Sequence, residues 1–90
     1  MRLWFRIWKN TRLIKQTVIE RSEDDTRTHK IKHAIEDACR EFDLGTPIWL
    51  EKNIKDFKRS GRVRFTGDSF IEGIEFDYME MSVLEEDMIF

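Results

Sequence analysis

Residues 2–20 leave the chain little choice of local structure. "RLWFRIWK" alternates Leu3, Phe5 and Ile7 with Arg2, Trp4, Arg6 and Trp8, and "RLIKQTVIE" follows after Asn10 and Thr11. Period-two alternation marks a strand with one buried and one wetter face. The second run is rich in β-branched residues, which suit the same conformation. A two-residue connection containing Asn closes such strands into a β-hairpin. With Asn10 and Thr11 central, Ile7 faces Ile14 and Leu3 faces Val18, while Trp8 lies beside Leu13 and Trp4 beside Thr17. One residue more or less in the loop would reassign every pair.

Helical periodicity begins after the hairpin. In "SEDDTRTHKIKHAIEDACREFDLG" the residues Ile31, Ala34, Ile35, Ala38, Cys39 and Phe42 recur at helical spacing and form one apolar stripe. Ser22 to Asp25 offer the N-cap and place acids near the positive end of the dipole. Gly45 and Pro47 stop this helix. A shorter one starts at Thr46 as N-cap with Pro47 at its first position, buries Leu50, Ile54 and Phe57, and ends at Gly61. "RVRF" reads as a short edge strand. From residue 74, "IEFDYMEMSVL" sets Ile74, Phe76 and Tyr78 opposite Glu75 and Asp77, then slips phase at Met79. A β-bulge near Tyr78–Met79 would return the methionines to the apolar face and Glu80 to the acidic one. The other solution is that the strand ends there.

The fold class expected is α+β, in one domain over residues 1–90. A small antiparallel sheet combines the N-terminal hairpin with a long C-terminal strand, giving three strands, or four with "RVRF". One long helix and one shorter helix accompany it. Residues 84–90 read as a frayed tail on which Met88, Ile89 and Phe90 could still dock. Ninety residues bury only about 60–65% of the unfolded surface, so a partner chain has something to add.

Charge is segregated although the net is only −2. Residues 1–20 and 46–66 each carry +4, and residues 67–90 hold eight acids without a single Lys or Arg. Such blocks either neutralise one another in the fold or give a molecule with a basic and an acidic face. Opposite charges across neighbouring strands are worth roughly 0.2–1 kcal/mol per pair, which favours the first and last strands as neighbours. Glu75 and Asp77, with Glu80 if the bulge forms, would then approach Arg2 and Arg6.

The tryptophans have no such internal partner, and they are the main handle on function. Trp4 and Trp8 are covered internally, or meet a protein partner, or stack single-stranded bases. The protein-contact reading makes Trp4 and Trp8 apolar anchors and uses Arg2, Arg6 and Arg12 to orient a partner's acids. That partner is another protein or a second copy. The nucleic-acid alternative uses the same strand or the basic stretch Lys52, Lys55, Lys58, Arg59, Arg62 and Arg64, although the acidic balance and the missing motif weigh against it. A phosphate-mimicking role for the acidic block is a third idea, weakened by the basic elements beside it.

Catalytic chemistry finds little to stand on. His29 and His33 are four residues apart but lack a third ligand and face away from the apolar stripe, so no metal site is expected. Cys39 sits on the edge of that stripe as a small hydrophobe, and a lone cysteine suits a reducing compartment. The four glycines are scattered and form no phosphate loop. The acid pairs Asp24/Asp25 and Glu85/Glu86 are exposed neighbours, not a cleft dyad. So small a domain also leaves little room for a pocket of about 300 Å³. The expectation is a non-enzymatic protein without cofactor. No apolar run approaches the length of a membrane span or a secretory signal, which points to the cytoplasm.

The strings "DDTRTHKI", "EFDL" with "PIWL", and "FIEGIEFDYMEM" resemble a group of short uncharacterised bacterial proteins. The likeness runs over most of the chain but matches no motif of known chemistry. It implies a small bacterial protein, with no catalytic or binding residue to carry over.

Overall fold

Asn10 and Thr11 both take positive φ, 51° and 63°, the primed-turn geometry whose twist matches that of paired strands. They join β1 (Arg2–Lys9) to β2 (Arg12–Glu20). In this computed structural model, which describes residues 1–87, the hairpin belongs to a four-stranded antiparallel sheet of order β2-β1-β4-β3. The other strands are β3 (Arg62–Phe65) and β4 (Tyr78–Glu85). The chain is therefore an α+β domain.

The hairpin register differs from the simple expectation by one residue. Trp8 does pair with Leu13, but Ile7 pairs with Lys15, because Ile14 is bulged out of the ladder. Every later pair moves with it: Trp4 faces Val18, Phe5 faces Thr17 and Leu3 faces Ile19. The bulge has a clear benefit. Without it Gln16 would stand beside the fully buried Phe5; with it Thr17 does, and its hydroxyl donates to Glu41 Oε2 at 2.9 Å.

β4 begins at Tyr78, not at residue 74, and carries no bulge near Tyr78–Met79. Ile74 and Phe76 instead lie in the loop before it and pack against the core, Phe76 edge-on to Phe70 at 6.0 Å. Once the strand starts at Tyr78 its alternation needs no repair: Met79 and Met81 face the helices and Glu80 faces away. The pairing of β1 with β4 does shift, between Arg2 and Leu3. Glu75 is exposed, and Asp77 sits at the hairpin turn, accepting from the Asn10 amide at 2.9 Å.

Helix α1 (Arg27–Phe42) buries the whole expected stripe against the sheet. Its N-cap is Thr26, whose hydroxyl accepts from the His29 amide at 3.2 Å, rather than any residue of Ser22–Asp25. Asp25 serves beside the cap: the Thr26 amide and then His29 bond its carboxylate and hold its pKa below the usual range. Helix α2 (Glu51–Ser60) starts five residues after Thr46, with Leu50 as N-cap and Gly61 as the left-handed C-cap. Residues 46–50 stay extended because Ile48 donates to Ser69 O at 2.7 Å. Buried Asn53 then fixes α2 in place. Its carboxamide oxygen accepts from the Leu50 amide and Ser69 Oγ, and its nitrogen donates to Arg64 O.

The core between helices and sheet holds Leu3, Phe5, Phe65, Met79, Met81 and the α1 stripe. Cys39 lies in it, and burial pushes its thiol up to about 11. Part of the expected frayed tail is tied down. Glu86 accepts from Arg27 at 2.7 and 3.1 Å, and Asp87 accepts from Lys30 Nζ at 2.7 Å and from the Met1 amino group at 2.9 Å. These cations hold both carboxyl groups below their usual range. Met88, Ile89 and Phe90, the part of the expected frayed tail that could dock, lie outside the described residues. No helix among the described residues is long and apolar enough to cross a membrane.

Candidate interaction surface

Both helices pack on one side of the sheet, so the other side has no second layer among the described residues. Strand alternation dictates what it shows: Arg2, Trp4, Arg6 and Trp8 from β1, Glu80 and Ser82 from β4, Arg62 and Arg64 from β3. The pairing aligns Arg6, Glu80 and Arg64 in one row across three strands. Glu80 is only 3% exposed, and both its oxygens are used. Arg6 Nη2 meets Oε1 at 2.6 Å, and Arg64 Nε donates to Oε2 at 3.0 Å. Arg6 also donates to Ser82 Oγ at 3.2 Å. Its hydrogen bond to the Glu80 carboxylate holds the Arg64 guanidinium above its ordinary pKa.

Aromatic rings roof this row. The Arg6 guanidinium lies 3.9 Å from the Trp4 ring centroid and 5.9 Å from that of Trp8, and Arg64 lies 4.7 Å from Tyr78. Cations favour the electron-rich face of such rings, more so when partly desolvated. The tryptophans sit among arginines because each ring lies against a guanidinium and shields a buried carboxylate. They are half-buried, with no covering layer among the described residues. Trp4 Nε1 donates to Gln16 Oε1 at 3.0 Å, whereas Trp8 Nε1 and Arg6 Nε have no hydrogen-bond partner among the described residues.

Several residues proposed for binding are thus already engaged. Arg6 is locked on Glu80, and Arg2 stands opposite Glu20 and 3.8 Å from Glu85. Arg12 pairs with Lys9 at the turn, on the opposite side of the ladder from Trp8. The basic stretch is divided. Lys52 pairs with Asp68, Lys55 with Glu51, and Arg59 with Asp56, all on or beside α2. Arg62 and Arg64 belong to the outer sheet face instead. The charge blocks of the sequence therefore largely neutralise one another.

What remains open on this side is the margin formed by β2. It is an edge strand of nine residues, and Leu13, Ile14 and Val18 are 39%, 49% and 44% exposed. Leu13 extends the surface of Trp8 and Val18 that of Trp4. Exposed edges of this length invite another strand, and proteins usually blunt them. The bulge at Ile14 and the inward-pointing Lys15 are such devices.

No protein-family model, curated protein or solved structure matches the chain.

On the helix side, α1 and α2 diverge and leave a groove of about 450 Å³, larger than so small a domain was expected to hold. Ile31, Ile35, Trp49, Ile54 and Phe57 make it mainly apolar. His29 and His33 stand away from it, with ring centroids 6.4 Å apart, His29 against Asp25 and His33 3.9 Å from Glu23. No group of three His, Cys, Asp or Glu side chains among the described residues is arranged to hold a metal.

Sequence reasoning missed three features: the closure of Glu80, the bulge at Ile14 and the groove. The arginine–aromatic alternation of "LWFRIW", met by "RVRF" and a single acid in "YMEM", was the available signal for the first.

Proposed function

We propose that this is a non-enzymatic cytoplasmic interaction module that joins a second copy of itself along β2, extending the open Trp4/Trp8 sheet face across both copies. One observation carries the reading: the exposed edge of β2 is complementary to itself about Gln16. An antiparallel copy centred there sets Ile14 opposite the partner's Val18 and Lys15 opposite the partner's Thr17. Thr17 already holds Glu41, so Lys15 arrives beside a carboxylate in the other copy. Lys15 has no ion pair within the described residues, and here it gains a partner of opposite sign. The features that guard a free edge become specific contacts, as a two-fold interface requires of one patch meeting itself. Trp4 and Trp8 then lie beside the junction, with Val18 and Leu13 between them and the partner.

The test is sedimentation of the intact protein and of Ile14→Lys. The wild type should sediment at twice the 11.0 kDa chain mass at micromolar concentration. Ile14 is exposed and bulged, so its replacement should leave circular dichroism unchanged. It removes an apolar contact twice per dimer and sets a charge opposite Val18, so the dissociation constant should rise a hundredfold or more. A wild type that stays at the single-chain mass overturns the reading.

A further inference from the structure

We propose that the groove between α1 and α2 is a binding site for an unbranched aliphatic carboxylate of about ten carbons. This rests on the helix side of the sheet and is independent of the pairing through β2. The groove exists because each helix is anchored separately: α1 lies over the hairpin, and α2 is tied to β3 through Asn53. Between them Ile54 remains 41% exposed on α2 and faces the buried Ile31 and Ile35 of α1. Trp49, edge-on to Phe57 at 5.6 Å and to Phe65 at 5.0 Å, closes the floor.

Size selects the class of occupant. A volume of about 450 Å³ belongs with small-ligand sites, and it is too small for a helix laid along the groove. From Arg27 to Glu36 the lining of α1 spans about 13 Å of helix, room for an extended chain of about ten carbons.

Charge selects the head group and its direction. The end formed by the first turn of α1 and the last turn of α2 carries Arg27 and Lys58, with Lys32 one turn further along. The positive end of the α1 dipole and the negative end of the α2 dipole meet there and offset each other, so the side-chain cations carry the preference. Arg27 shows the preference directly, since it already holds the carboxylate of Glu86 while its guanidinium lies 5.2 Å from the Phe57 ring centroid. Lys58 and Lys32 have no ion pair among the described residues. The far end carries Glu36 beside Thr46, which repels an anion. A carboxylate therefore belongs at Lys58, with its chain running over Ile54 and Ile31 towards Trp49.

The experiment is calorimetric titration of the full chain with decanoate, octanoate and decyltrimethylammonium, with amide and indole NMR shifts to locate the site. Decanoate should bind one per chain and shift Ile31, Ile54 and the Trp49 indole. Octanoate should bind about fifteenfold more weakly, as the loss of two buried methylenes dictates. The cationic amphiphile should bind at least tenfold more weakly than decanoate. Lys58→Glu should weaken decanoate tenfold or more while leaving the chain-length increment unchanged. Ile54→Asp should abolish binding with unaltered circular dichroism, because both positions are exposed. No binding by the wild type, equal binding of anion and cation, or shifts confined to Trp4 and Trp8 would each overturn the proposal. So would binding seen only in an Ile89→Asp/Phe90→Asp chain, which would assign the groove to the protein's own C-terminal residues.

Discussion

Glu80→Ala should destabilise the protein by about 3–5 kcal/mol, the cost of removing one partner from a buried ion pair. The carboxylate is almost wholly enclosed, and Arg6, itself only 16% exposed, loses its one charged partner among the described residues. Arg64 matters less, because it is 58% exposed and water can take over. At about 4–8 °C per kcal/mol for a domain of this size, the melting temperature should fall by more than about 12 °C. Arg6→Met combined with Glu80→Met should recover most of that loss, since apolar side chains of similar volume often replace a buried pair without penalty. Urea titration of the single and double variants checks both statements. A single variant within about 1 kcal/mol of wild type would show that Glu80 is hydrated, and that the rings of Trp4, Trp8 and Tyr78 do not enclose it.

Phe5→Ala should be as severe by a different route. Phe5 is fully buried at the centre of β1, between Thr17 of β2 and Met81 of β4. Truncating a buried phenylalanine costs about 3–5 kcal/mol, combining lost transfer energy with the cavity left behind. Small domains have only about 5–15 kcal/mol in hand, so the variant should melt far below wild type or populate unfolded chain at 37 °C. Thermal denaturation followed at 222 nm reads the effect. A loss below about 1 kcal/mol would mean that the methionines of β4 close the cavity, as flexible thioethers sometimes do.

Much of the fold was legible because its signals are local. The alternation of residues 2–9, the Asn10–Thr11 turn and the α1 stripe each follow from side-chain period and backbone preference over a few residues. Gly61 marked the end of α2 for the same reason, since its φ of 69° is one that glycine adopts freely. The misplaced features depend on distant partners. The bulge at Ile14 is favoured by Thr17 reaching Glu41, a residue on another element. Thr46 and Pro47 look like a helix start, but the hydrogen bond from Ile48 to Ser69 holds that segment extended. Ile74 and Phe76 alternate like strand residues yet pack from a loop, because β1 offers them no ladder beyond Trp8. The site was half legible. Arginines and tryptophans on one face followed from alternation alone; Glu80 as a neighbour of Arg6 followed from opposite charges favouring adjacent strands, and only through a bulge at Tyr78–Met79 that β4 does not have. That Glu80 would be enclosed required β3 to bring Arg64 from its other side. The groove had no sequence signature at all, because it is the space between two helices that are anchored separately.

Self-association along β2 is most directly tested by a charge exchange. Lys15→Glu, Glu41→Lys and the double variant should be compared with wild type by sedimentation equilibrium over a range of concentrations. Each single exchange sets like charges against each other at two symmetry-related places, and should raise the dissociation constant about tenfold or more. The double variant restores opposite signs and should return to within about threefold of wild type. Rescue arises only if Lys15 of one copy stands beside Glu41 of the other. Single effects that simply add in the double variant, or a wild type that remains one chain at every concentration, would contradict the account.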